Sequence, residues 1–296
     1  MSGSGFDRVG IITNPDKDPQ YKTTDELRGW LTARGCHVRA SRSEPKRLGE
    51  EHDQTSPDRE LAQWAQLVMV LGGDGTLIGT ARRTAATGCP LLGINLGHLG
   101  FLTEIELSEL YPALDEVLAG RYFIDERLMI EVHVVRDGCV RHDLLALNEA
   151  VVGKGPFARL IEVKAHVDGL EVASYPSDGL IISTPTGSTA YSLSAGGPVV
   201  HPNLDVLLLT PICPHTLYAR AISVSADSEV RVEVVPPYRE AVLTVDGQQG
   251  ADVQPGDRVT VRRAPVTARL VRRVGWNFYD VLRRKFQESG MRGEGG

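Results

Sequence analysis

The 296-residue chain has no apolar run that approaches the roughly 18–20 residues needed to cross a bilayer as a helix. Its first residues, Met1-Ser2-Gly3-Ser4-Gly5, lack a charged n-region and an apolar h-region, which argues against secretion. Cysteine is scarce: Cys36, Cys89, Cys139 and Cys213 are scattered, with no CxxC pair. That pattern favours reduced thiols over a disulfide framework or a zinc site. None of the eight histidines falls in an HExxH pattern, so no metalloprotease-type zinc site is expected. Ser188, in Gly187-Ser188-Thr189, is outside a GxSxG elbow, which removes an esterase reading. Positive charge is not in excess. A net charge of −6 argues against a general nucleic-acid binder. Small phosphate ligands stay open, because backbone N–H groups and one local Arg can hold them. The expectation is a reduced, cytoplasmic protein with no membrane or nucleic-acid partner and no internal repeat.

Two glycine-rich stretches stand out instead. Gly72-Gly73-Asp74-Gly75-Thr76 follows the apolar run Leu67 to Leu71. Residues 184–198, rich in Thr, Ser and Gly, follow Leu180-Ile181-Ile182. Asn148-Glu149 lies between them. Two such loops in one chain suggest two nucleotide-sized ligands and phosphoryl transfer between them.

The first hundred residues alternate strand and helix signals. Val9 to Ile12 read as a strand. Thr24 is the expected N-cap of a helix carrying Leu27, Trp30 and Leu31 on one face, closed by Gly35. Residues 41–60 are polar and aperiodic and read as a loop. Leu67–Leu71 and Leu91–Asn95 read as strands around a helix over 76–87, and Ser108 as the cap of another. Such alternation predicts a parallel sheet covered on both faces. Past Arg121 the period becomes two, as in Ile130, Val132, Val134 and in Ile161, Val163, Ala165, Val167, with Asp-Gly turns at 137, 168 and 246. This half reads as an all-β sandwich. The division expected is an α/β phosphate-loop domain at 1–122, a β-sandwich dinucleotide-binding domain at 123–265 and a C-terminal arm with a disordered tail at 266–296. Val281, Leu282 and Phe286 suggest a last helix, with the tail from Gly290. Arg269, Arg272, Arg273, Arg283, Arg284 and Lys285 read as a solvated basic face.

Glycines at a strand's carboxyl end let the backbone turn sharply and approach a ligand. The helix that follows offers N–H groups and a positive dipole end. The GGDGT stretch has neither the Lys of a Walker A loop nor GxGxxG spacing, so it is a different phosphate loop. Asp74 in its middle either accepts a proton from an attacking hydroxyl or orients Mg²⁺, or else forms an Asp-Gly turn with its own backbone. Asn148 suits an adenine edge and Glu149 ribose hydroxyls, unless they are a solvated strand end. In the 184–198 stretch, hydroxyls and N–H groups suit ribose and pyrophosphate, and Tyr191 offers a stacking ring. The alternative there is a Ser/Thr-rich loop leading into a capped helix. His98 reads as a loop histidine bonded to backbone.

The motifs GGDGT at 72–76, NLGHLGFLT at 95–103, LNE at 147–149 and SDGLIISTPTGSTAYS at 177–192 occur in the order found in the NAD kinase family, which the chain resembles from about Val9 to the C-terminal arm. GGDGT alone also occurs in diacylglycerol and sphingosine kinases, but the long 177–192 stretch is more specific, and no GTGND-like lipid-kinase element is present.

The resemblance implies a two-domain fold with the active site between an α/β domain and a β-sandwich, the C-terminal arm returning to the first. It implies ATP-dependent, or polyphosphate-dependent, phosphorylation of the adenosine ribose 2′-hydroxyl of NAD to NADP, with a divalent cation, Mg²⁺, carried by the ATP phosphates. It makes Asp74 the base and Gly72, Gly73, Gly75 and Thr76 the phosphate loop. Asn148 and Glu149 hold the adenosine part, and Asp178 lies towards the nicotinamide. Ser188, Thr189, Ala190, Tyr191, Ser192 and Ser194 line the dinucleotide site, with Arg159 and Gln248 as further contacts. It implies a homodimer or homotetramer whose site a neighbouring subunit can complete. Pro176 stands where related enzymes carry a basic or small residue bearing on NAD versus NADH, which leaves that preference open. A lipid or sphingoid-base kinase and a non-catalytic NAD(P) sensor are the alternative readings.

Overall fold

The computed structural model describes residues 5–41, 56–97, 100–156, 160–216, 218–236 and 240–291. The chain divides into two units. One runs to Glu126 and takes back the chain from Arg269; the other is Arg127–Ala268.

The first unit begins β1 (Arg8–Thr13), α1 (Lys22–Thr32), β2 (His37–Ser41), α2 (Pro57–Trp64), β3 (Leu67–Gly72), α3 (Asp74–Thr84), β4 (Leu91–Asn95), β5 (Ile105–Glu106) and α4 (Leu110–Leu118). Strands pair in parallel in the order β2-β1-β3-β4-β5. Both faces are covered. Leu27 and Leu31 of α1 and Leu110, Ala113, Leu114 and Val117 of α4 pack with Val9, Ile11, Leu67, Met69 and Leu71. On the other face Gly10 admits Leu61 of α2 and Gly93 admits Leu77 of α3.

β6 (Tyr122–Arg136) leads into the second unit, followed by β7 (Cys139–Ala146), β8 (Glu149–Lys154), β9 (Ile161–Val167), β10 (Leu170–Ser177), β11 (Gly179–Ser183), α5 (Tyr191–Ser194), β12 (Val206–Ile212), β13 (Ile222–Ser225), β14 (Val230–Val235), β15 (Ala241–Val245), β16 (Gln249–Val253) and β17 (Arg258–Arg273). One sheet has the order β13-β12-β11-β8-β15-β16, antiparallel throughout. Another pairs β10, β9, β14 and the first part of β17. Alternate residues of both, such as Val152, Leu180, Ile182 and Leu243 with Val163, Val232 and Val261, form one apolar core. The sandwich is thus read directly from the period of two. The last residues of β17 pair with β4 through Leu270 and Leu91, and α6 (Phe278–Met291) closes the first unit.

Four local expectations change. α1 starts at Lys22, and its first turn is capped from outside by Asp18, whose carboxylate accepts from Thr24 N–H at 3.0 Å and Thr24 Oγ1 at 2.9 Å. Thr24 thus lies inside the first turn as a donor to Asp18 and not as the acceptor that an N-cap supplies. The 41–60 loop is shorter than expected: Ser56 caps α2, with Pro57 at its first position, a start signal hidden in polar sequence. Residues 42–55 lie outside the described residues. Ser108 sits in a 3₁₀ turn (Leu107–Glu109) before α4. α6 continues to Met291, past Gly290, and 292–296 lie outside the described residues.

The basic arm is solvated in part: Arg283 and Arg284 are exposed, as expected, and Arg269, Arg273 and Lys285 are half-buried, but Arg272 is not on the surface. Arg272 is 0% exposed; it donates to Asp125 at 3.1 Å, to Glu104 at 3.1 Å and to Leu102 O at 2.9 Å. Arg273 donates to the Glu109 carboxylate at 3.0 and 3.2 Å. Buried carboxylates make a buried guanidinium tolerable, and sequence periodicity does not show partners 147–170 residues away. Among the described residues no helix is long and apolar enough to cross a membrane. The four cysteines are free, and burial pushes the Cys89 thiol up to about 11.

Candidate functional site

In the first unit, β3 is buried at every position and ends at Gly72. Gly73 caps α3 in an extended conformation, and no side chain caps that helix end. The loops after β1 and β3 emerge where the strand order turns from β2 on one side to β3 and β4 on the other. In open α/β sheets, ligands bind at the carboxyl ends of strands at such a switch point.

Asp74 opens α3, and its carboxylate is held by a second loop. Oδ2 accepts from Phe101 N–H at 2.7 Å; Oδ1 accepts from Leu102 and Thr103 N–H, both at 3.1 Å. A carboxylate has about four acceptor positions, so one on Oδ2 stays open. The Asp-Gly turn closing on its own backbone does not form; the partners come from 101–103. Gly100 has a steric role, since a Cβ there would overlap the Asp74 carboxylate. Thr76 is also engaged, its Oγ1 accepting from Asn14 Nδ2 at 3.0 Å. His98 lies outside the described residues.

In the second unit, the Asn148-Glu149 step meets the 184–192 stretch. Thr184 N–H donates to Asn148 O at 2.8 Å, and Thr184 Oγ1 donates to Leu147 O at 2.6 Å. Gly187 lies so close that a Cβ would overlap the Asn148 backbone. Asp246 clamps the step from the β15–β16 turn. It accepts from Leu147, Asn148 and Glu149 N–H at 3.0, 2.8 and 3.1 Å. Glu149 is 5% exposed, and its Oε2 is buried with no hydrogen-bond partner among the described residues. Asn148 Oδ1 is likewise buried without one. Burial, then the Asp246 charge, push the Glu149 carboxyl up to about 8, against a bond from the Tyr191 backbone. The shift favours the protonated carboxyl, which offers a donor as well as an acceptor.

Within the hydroxyl-rich stretch the side chains divide. Ser188 is fully buried, donates to Pro185 O at 2.7 Å and accepts from Val200 N–H at 3.0 Å; Ser192 bonds Thr210 Oγ1 at 2.9 Å. Both hold the fold of the stretch. Tyr191 is 45% exposed, Ser194 is exposed, and Thr189 and Ala190 are half-buried. Gln248 is half-buried in the turn after Asp246. Asp178 stands apart. It precedes β11 while Thr184 follows it, about 20 Å of strand away, and it pairs with Lys154 at 2.7 Å. Arg159 lies outside the described residues. Sequence reading took Asp246 only as a hairpin turn and gave Gly100 no role; neither carries a local signal, because each acts on a residue far along the chain.

A doubly wound sheet with an uncapped glycine-rich turn at its switch point, joined in one chain to a sandwich with buried unpaired polar atoms, defines a nucleotide-handling protein of the phosphoryl-transfer class. Residues 9–122 match the ATP-NAD kinase N-terminal domain and residues 147–273 the ATP-NAD kinase C-terminal domain. The chain belongs to the NAD kinase family. Among its relatives, an NAD kinase of Moorella thermoacetica is 47% identical over 96% of this chain and 91% of its own length. An NAD kinase of Symbiobacterium thermophilum is 48% identical over 94% and 98%. Among solved structures, yeast NADH kinase complexed with NADH superposes with a TM-score of 0.80 at 26% identity, covering 95% of this chain and 86% of that one. An NAD kinase from Archaeoglobus fulgidus in complex with ATP gives 0.71 at 25% identity, covering 90% and 94%.

Proposed function

We propose that the protein transfers the γ-phosphate of ATP to the adenosine ribose 2′-hydroxyl of NAD, forming NADP and ADP. The observation that carries this is Asp74: a carboxylate fixed by three backbone N–H groups at the start of α3, with one acceptor position open on Oδ2. In this reading the hydroxyl oxygen forms a bond to the γ-phosphorus. The bond from that phosphorus to the β–γ bridging oxygen breaks, its electron pair leaves with ADP, and the hydroxyl proton passes to Asp74. Such transfers depend mostly on positioning and charge neutralisation. Gly72, Gly73 and Gly75 let the backbone approach the phosphates, and Thr76 braces the turn. Asn148 and Glu149, with unpaired buried atoms facing a polar ligand, hold the adenosine. Thr189, Ala190, Tyr191, Ser194 and Gln248 line the dinucleotide site, and Ser188 and Ser192 shape it. Arg159 is a further contact on the family likeness alone.

Mg²⁺ would arrive as an ion carried by the donor, because at such sites it is bound largely through substrate phosphates. When bound, it neutralises charge on the transferred phosphoryl group. A homo-oligomer, in which the nicotinamide end of a dinucleotide meets Asp178 of a neighbouring copy, rests on the family likeness alone. Four free thiols support a reducing, cytoplasmic setting.

A coupled assay with NAD, ATP and Mg²⁺, read by an NADP-specific dehydrogenase, tests the reaction. NADP should form, and Asp74→Asn should lower kcat by about 100-fold or more. Absence of NADP with wild type, using ATP or polyphosphate and NAD or NADH, overturns the reading.

A further inference from the structure

Between β1 and α1 the chain reads Asn14-Pro15-Asp16-Lys17-Asp18. This run is braced at both ends. Asn14 N–H donates to Leu71 O at 2.8 Å, and Asn14 Nδ2 donates to Thr76 Oγ1 at 3.0 Å, tying the run to the glycine turn. Asn14 Oδ1 accepts from Asp16 N–H at 2.9 Å, and Asn14 O accepts from Lys17 and Asp18 N–H at 3.2 and 3.1 Å. At the far end, buried Asp18 is fixed to the start of α1.

Lys17 stands between these anchors, with its side chain leaning over the glycine turn. Its Nζ is 2.8 Å from where a Cβ on Gly73 would stand and 3.6 Å from that point on Gly97. The ammonium therefore lies beside the N-terminus of α3. Among the described residues no carboxylate pairs with it. Two positive features side by side, a helix N-terminus and an ammonium, repel unless an anion joins them. Lys17 is an exposed residue, so the ammonium beside the helix end is open to an anion arriving from solvent.

We infer that Lys17 binds the terminal phosphates of the donor and offsets their charge during transfer, an inference that rests on the phosphoryl-transfer reading above. Lys17 keeps its proton throughout; the proton of the acceptor hydroxyl goes to Asp74. The GGDGT turn thus receives from the β1 loop the cation that a Walker A turn carries within itself.

Binding and turnover test this separately. Calorimetry with inorganic tripolyphosphate, and with ATP in the absence of NAD, compares wild type, Lys17→Met, Lys17→Arg and the control Lys22→Met, which alters an exposed lysine of α1. Lys17→Met should weaken both anions by about 10- to 100-fold, the worth of one charge-assisted contact, while Lys17→Arg keeps part of the affinity and Lys22→Met matches wild type. In steady state, Lys17→Met should raise the KM for ATP and lower kcat, with the KM for NAD within about twofold, as expected for a contact made only to the donor. Circular dichroism checks that each variant is folded. Equal anion affinity in wild type and folded Lys17→Met overturns the inference, as does a wild type that binds no tripolyphosphate. A wild type that binds the anion through Lys17 yet forms no NADP removes the kinase reading and leaves the phosphate site standing.

Discussion

Asp74 is an acceptor held by donors, which governs what its replacement does. In Asp74→Asn an amide N–H₂ takes one oxygen's place and meets a backbone N–H. Activity should fall together with some order in 101–103, as the lost bond there costs about 1–3 kcal/mol. Gly100→Ala separates the two effects: it leaves the carboxylate in place chemically and displaces it sterically. Overpacking of this kind costs about 1–3 kcal/mol, so kcat should drop while the protein stays folded by circular dichroism. Glu149 makes a pH prediction. Its folded pKa, about 8, lies above the ordinary 4.5. The stabilisation of its neutral form is complete below the ordinary value and is lost as pH rises through about 8. Urea midpoints should therefore decline across that window more steeply in wild type than in Glu149→Gln. Parallel profiles would show that Glu149 does not titrate there. The residues of the GGDGT, Asn-Glu and 184–194 motifs were legible in the sequence. The partners that give them meaning, Gly100 for Asp74 and Asp246 for Glu149, were not, because those contacts close over 26 and 97 residues of chain that no local pattern spans.

Among elements, strands were legible because burial writes a simple code: β3 and β4 are buried throughout and apolar up to Asn95 at the end of β4, and β9 and β14 alternate. Helix starts were less so. Asp18 accepts from the N–H groups of Thr23 and Thr24, so the helix starts ahead of Thr24 and the cap comes from a residue outside it. Asp18→Ala should lower stability by about 1–2 kcal/mol, the worth of a cap. It should also raise the KM for ATP, because the loop that aims Lys17 loses one of its two anchors. A changed melting temperature with an unchanged KM would separate the cap from the loop.

At the scale of the whole molecule, the long strand β17 serves both units: Val261 pairs with Val230 in the second and Leu270 with Leu91 in the first. Arg272, near its end, holds Glu104, Asp125 and the carbonyl of Leu102, and so reaches the loop that fixes Asp74. Burial pushes the Glu104 carboxyl up, and Arg272 works against that shift. Arg272→Leu would take from Asp125 and Glu104 the buried cation they share, a loss of about 3–5 kcal/mol. Denaturation should report it, with a fall in kcat beyond the unfolded fraction. The sequence by itself determined the parallel α/β half, the antiparallel half and the phosphate and adenosine motifs, because hydrophobic period and glycine placement are local. Tertiary structure alone decided that Arg272 of the basic arm is buried while Arg283 and Arg284 stay exposed, that Ser188 and Ser192 hold the fold, and that Lys17 stands over the glycine turn. Burial, charge pairing and close approach depend on which distant segments meet, and that is settled only when the sheets close on their cores.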